Sequence, residues 1–221
     1  LLEQATTGSA KVFDLAAASS AVQQQFITLS AEKKAEALAR LAAAPPSLEV
    51  INLAGVGLDN SYAPALAALL RRRTLVRANF ERNALSESGL LSLADELLSG
   101  APDSALSELS LANQRVALST LAITRLIDAM AARPTLVKLG LGQLRDDTAR
   151  KRHEQVTMAN TEAKRVKRQL EQQQQPSPPP GICSNRSSYR SGRVSESLLN
   201  RVASIENVVG ANIEDKLTVV D

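Results

Sequence analysis

Residues 106–114 read LSELSLANQ, and the fold turns on how this short run recurs. Leu106 is followed by an apolar residue three positions on, Leu109, and another five positions on, Leu111. The same spacing occurs at Leu48, Ile51 and Leu53, at Leu75, Ala78 and Phe80, and at Leu136, Leu139 and Leu141. The four starts lie 27, 31 and 30 residues apart. A weaker fifth copy falls at Ala10, Phe13 and Leu15. Helical patterns fill the intervals. Ala31–Ala43 follows Ser30, a suitable N-cap, and stops before Pro45. Tyr62–Arg72 places Leu66, Leu69 and Leu70 on one face. Glu87–Leu98 carries Leu90, Leu93, Leu97 and Leu98, with Gly100 set to end it. Leu118–Ala132 carries Leu121, Leu126, Ile127 and Met130. Each unit is thus a short strand, a turn and a helix.

One such unit cannot bury its own apolar face, but a stack of them encloses a continuous core. The pattern is that of a leucine-rich repeat: an α/β solenoid of about five strand-helix units, strands on the concave side and helices on the convex side. The ninth position of such a unit usually holds an Asn that satisfies backbone groups in the turn. Here it reads Val56, Asn83, Gln114 and Leu144. Residues 1–144 form the repeat domain in this reading. A polar, basic stretch follows, without Gly or Pro from Gln143 to Gln174, and its residues 145–174 read as a helix capping the last repeat. Residues 175–193 are a Pro/Ser/Arg-rich linker, opening with PSPPPG, which favours polyproline II. Residues 194–221 are a tail with a short amphipathic helix. Its Leu198, Val202, Ile205 and Val209 recur at helical spacing and suit docking on the repeats or on another protein.

Composition narrows the chemistry. The chain has 221 residues, 44% of them apolar and only 2% aromatic, so the core is built from aliphatic side chains and Ala. A single His and a single Cys exclude a Cys/His zinc cluster and an intrachain disulfide. No metal site and no cofactor are expected. His153 has no partner in a catalytic pattern, since RHEQV lacks the second His of HExxH. It reads as a surface residue. No phosphate-binding or nucleophile-elbow motif occurs, so an enzyme is not expected. The net charge of +3 and the scarcity of aromatics argue against nucleic acid. No apolar run reaches the length of a membrane span, and no signal peptide is present. The lone Cys183 fits a reducing compartment. The first residue, Leu1, is not Met, which reads as a fragment or a processed product.

Two surfaces carry the candidate partner-binding residues. The basic stretch supplies Arg150, Lys151, Arg152, Lys164, Arg165, Lys167 and Arg168, suited to an acidic partner. Pairing along the helix, as Glu162 with Arg165 and Asp147 with Lys151, offsets part of that charge. The strand-end edge supplies Glu81, Arg82, Asn113, Gln114 and Arg115, where repeat proteins often bind. Arg71–Arg73 end a helix, where cations suit the helix dipole.

The segment Leu75–Arg168 resembles the C-terminal leucine-rich repeat domain of the tropomodulin and leiomodin family. The likeness rests on Thr74-Leu75 with Asn79, Glu81, Asn83, Gly89 and Leu91, on Leu106, Glu108 and Leu109 with the Asn113-Gln114 pair, on Thr135–Gly140, and on the helix around Met158 and Asn160 with its KRVKR run. It extends back to Lys11. Leu139 and Leu141 stand where that family's strand has aromatics. The resemblance implies a cytoplasmic, cytoskeletal protein-binding module that binds actin near filament pointed ends. In that family, N-terminal segments absent here assist and engage tropomyosin. A second reading is a scaffold subunit of a microtubule or ciliary assembly that reuses the fold.

Overall fold

The computed structural model describes residues 10–100 and 104–174. The linker and the tail-docking residues Leu198, Val202, Ile205 and Val209 lie outside the described residues. Five short strands form one parallel sheet in sequence order: β1 Val12–Asp14, β2 Val50–Asn52, β3 Arg77–Asn79, β4 Glu108–Ser110 and β5 Lys138–Gly140. Val12, Val50, Arg77, Glu108 and Lys138 are in register, and so are Phe13, Ile51, Ala78, Leu109 and Leu139. The weak fifth copy is therefore a genuine first strand.

The helices are α1 Ser20–Ile27, α2 Ala31–Ala42, α3 Ala63–Leu70, α4 Glu87–Ser99, α5 Thr120–Ala131 and α6 Asp147–Gln174. A 3₁₀ turn, Asn60–Tyr62, precedes α3. The sequence reading missed α1, whose pattern Ser-Ala-Val-Gln-Gln-Gln-Phe-Ile buries only Phe26. With so little apolar periodicity it gives no helical stripe to read. Ser30 caps α2 through its side chain, which accepts from Lys33 N–H, and Ser119 caps α5 in the same way from Ala122 N–H.

The middle residue of every strand points inward. Phe13, Ile51, Ala78, Leu109 and Leu139 are all buried and pack with the helix leucines in one continuous core. Leu38, Leu41, Leu66, Leu69, Leu93, Leu126 and Met130 have no exposed surface. One expected core position fails: Leu121 on α5 is 60% exposed, because Ala122 and Ile123 take the inward positions of that turn.

By compactness the chain divides into Leu1–Asn160 and Thr161–Asp221. The first unit contains the sheet, helices α1 to α5 and the first half of α6. Among the described residues the second contains the rest of α6. There the side chain of Val166 is buried and Arg165 pairs with Glu162.

Candidate functional site

The strand ends are built by one repeated device. Asp14 Oδ1 accepts from Ala17 N–H at 2.8 Å, Asn52 Oδ1 from Ala54 N–H at 3.2 Å and Asn79 Oδ1 from Glu81 N–H at 3.0 Å. A left-handed residue then turns the chain: Gly55 at φ 71°, Arg82 at φ 55° and Asn113 at φ 58°. Asn tolerates this conformation, whereas Arg adopts it only where the surrounding structure demands it. The demand is visible at Arg82, whose N–H donates to Ala112 O of the next unit.

The ninth position follows. Asn83 has no exposed surface. Its Oδ1 accepts from Leu58 N–H at 3.0 Å, and its Nδ2 donates to Leu53 O and Phe80 O, both at 2.9 Å. Gln114 repeats the role: its Nε2 donates to Phe80 O and Leu111 O, and its Oε1 accepts from Leu85 N–H. Both ends of the Gln114 amide are thus engaged in the turn, a structural role the sequence reading did not assign to it. Asn113 serves the left-handed turn while its side chain stays exposed. Glu81 is half-buried, and Arg82 and Arg115 are exposed with no ion pair among the described residues.

The basic helix separates into paired and free charges. Arg150 pairs with Asp147 at 2.8 Å, not the expected Lys151 with Asp147. Arg152 is half-buried and pairs with Asp128 of α5 at 2.5 Å, so it ties α6 to the last repeat. Arg165 grips Glu162 with two bonds of 2.9 Å, three residues apart. That hydrogen-bonded carboxylate raises the Arg165 pKa. Lys151, Lys167 and Arg168 are exposed and Lys164 half-buried, none of them in an ion pair among the described residues.

Two members of the Arg71–Arg73 cluster act across units. Arg71 makes a bidentate pair with Glu96 of α4 at 2.7 Å. Arg72 reaches back to the end of α2, donating to Ala42 O at 2.8 Å, Ala44 O at 2.7 Å and Pro45 O at 2.6 Å. Desolvation lowers the Arg72 pKa, yet the guanidinium stays charged. Arg133, buried, repeats the device on Leu97 O at the end of α4. Asn160 performs it for α5, with Nδ2 at 2.9, 3.1 and 2.8 Å from Met130 O, Arg133 O and Leu136 O. The sequence reading missed these roles. Their signal was the recurrence of Arg-x-Thr-Leu-Val at Arg72–Val76 and Arg133–Val137.

His153 is not a free surface residue. It is half-buried, and its Nε2 lies 2.9 Å from Leu139 O. A carbonyl only accepts, so the bond requires the Nε2–H form. Together with Arg150 it lines an open groove of about 600 Å³, completed by Gly142, Gln143, Leu144 and Arg145. The structure thus gathers Arg150, Arg145 and His153 at the last repeat, and leaves Arg82 and Arg115 on the strand-end edge. Arg145, assigned in sequence to the basic helix, lies in the turn before it. Among the described residues no cluster of His, Cys, Asp and Glu is arranged to hold a metal, and no helix is long and apolar enough to cross a membrane.

No family model matches the chain, and no curated protein matches it. Solved structures do. Leiomodin-1 actin-binding site 2 superposes with a TM-score of 0.66 at 22% identity, covering 78% of this chain and 94% of that one. The tropomodulin C-terminal domain of Caenorhabditis elegans superposes with a TM-score of 0.59 at 19% identity, covering 76% of this chain and 96% of that one. The chain therefore has the fold of a tropomodulin/leiomodin C-terminal domain.

Proposed function

We propose that this chain is a non-enzymatic cytoskeletal module that binds actin near the pointed ends of filaments. The observation that carries the reading is the fold it shares, over 78% of its length, with leiomodin-1 actin-binding site 2. The surface chemistry supports it. Arg82, Arg115, Lys151, Lys164, Lys167 and Arg168 are cations with no ion pair among the described residues, as an acidic protein surface requires. The turns that carry Arg82 and Arg115 are held by the hydrogen bonds of Asn83 and Gln114. Nothing in the geometry or in the comparisons supports the microtubule or ciliary scaffold. The site residues themselves remain part of this proposal, because fold likeness does not carry residue roles.

The test is pointed-end actin elongation with barbed ends blocked, titrating this chain at low and moderate salt. Elongation slows, and the effect weakens as salt screens the charges. Reversing Lys164, Lys167 and Arg168 to Glu reduces the apparent affinity about tenfold or more. Unchanged elongation together with no co-sedimentation with actin filaments refutes the reading.

A further inference from the structure

The turn after β4 departs from the repeat. In the two preceding units the N-cap of the following helical turn stands three residues past the ninth position, Val56 to Asp59 and Asn83 to Ser86. After β4 it stands five residues past, Gln114 to Ser119. The residue before each cap keeps its core position: Leu58 and Leu85 are buried, and Leu118 is half-buried and packed against the core. The added length therefore falls between. Arg115, Val116 and Ala117 stand where Gly57 and Ala84 each stand alone, and all three are exposed. A second departure follows on α5. Two residues past the cap, the earlier units have the exposed serines Ser61 and Ser88, and this one has Leu121.

Val116 is 51% and Leu121 60% exposed. The other exposed large apolar side chains among the described residues, Val12, Ile27 and Met158, lie apart on β1, α1 and α6. Single exposed apolar side chains are ordinary, but these two share one turn and form a patch. The turn is held at both ends. Arg115 N–H donates to Asn83 O at 2.9 Å, and Ser119 Oγ accepts from Ala122 N–H at 3.1 Å and donates to Glu87 Oε1 at 2.8 Å. That last bond engages Glu87, the acid beside the turn. Asn83 directly follows Arg82, so the Arg115 bond sets Arg82 and Arg115 on neighbouring units at the border of the patch. Both are exposed, with no ion pair among the described residues.

We propose that Val116 and Leu121 are the apolar anchor of the actin contact, with Arg82 and Arg115 flanking it. This rests on the actin reading above and gives that contact a place in the fold. Continuity supports it, because Val116 directly follows Arg115 and so prolongs the strand-end edge. Charge supports it as well. Two cations without ion pairs at the border match an acidic protein surface, and they oppose closure of the patch on a second copy of itself, where like charges would meet. Apolar side chains that become desolvated at the centre of an interface supply affinity, while the charges around them set orientation and encounter rate.

The experiment measures pointed-end elongation and filament co-sedimentation for three proteins. They are the unaltered chain, the double variant Val116→Asn with Leu121→Gln, and Val12→Thr, which changes an equally exposed valine (52%) on β1. The double variant loses about tenfold or more in apparent affinity for actin. Its urea midpoint is unchanged, because both side chains already lie in water. Its salt dependence keeps the slope of the unaltered chain, since the cations remain and only an apolar contact is lost. Val12→Thr binds like the unaltered chain. Equal slowing of elongation with and without the double substitution overturns the anchor and leaves the actin reading standing. So does a loss that Val12→Thr reproduces. Binding to phosphatidylserine vesicles that the double substitution abolishes, while actin binding persists, assigns the patch to a lipid surface instead. An unaltered chain that neither slows elongation nor co-sediments with filaments overturns both.

Discussion

At the scale of single residues, burial decides what each polar side chain does. Asn83 has no exposed surface and engages four backbone groups, of Leu58, Leu53, Phe80 and Glu81. Asn83→Ala leaves several of them unsatisfied in the core, and urea unfolding is expected to show a loss of about 3 kcal/mol. Tyr62 tests a pH dependence. Burial raises its pKa above 10.0, with the nearby Asp59 charge adding to the effect. A raised folded value means that the fold favours the neutral phenol. Its contribution to stability is complete below the unfolded value of about 10 and is lost as pH rises through the higher folded value. Tyr62→Phe is expected to flatten that alkaline loss, seen by comparing unfolding free energies of the two proteins between about pH 8 and pH 11.

At the scale of elements, the helices are finished by their neighbours. The four last carbonyls of a helix lack partners inside it. Here Arg72 supplies donors to the end of α2, Arg133 to α4 and Asn160 to α5. Arg72→Met keeps the aliphatic stem but removes the donors from Ala42 O, Ala44 O and Pro45 O. Some of these carbonyls regain water, so a loss of about 2 kcal/mol is expected, with faster amide exchange at the end of α2. The Arg165–Glu162 pair of α6 is different in kind. Arg165 is exposed, and such pairs contribute little. It withdraws one cation from the basic helix and leaves Lys164, Lys167 and Arg168 without an ion pair among the described residues.

At the scale of the first compact unit, stability is close to a sum over repeats and the contacts between neighbours. A defect at one end therefore stays near that end. Asn160→Ala removes the donor that holds Met130 O, Arg133 O and Leu136 O. Native-state hydrogen exchange is expected to show α5 and β5 opening more easily, while β1 to β3 keep their protection. Uniform loss of protection across all five strands contradicts this picture.

The repeat was legible because it is local and periodic. The spacing of Leu106, Leu109 and Leu111 recurs in phase, and burying it forces strand-helix units to stack, whatever the contacts in detail. The start of α2 was legible for the same reason at Ser30, where a cap acts within one turn. Partner assignments were not legible. Nothing in the chain's order says that Arg72 reaches the carbonyls of the preceding helix, that Arg152 meets Asp128, or that His153 meets Leu139 O. Those pairs are distant in sequence, and which atoms meet is settled only when the units pack. The same packing gave Gln114 a turn role that its sequence position did not reveal. It also left Arg145 exposed at the last repeat, which only the folded chain shows.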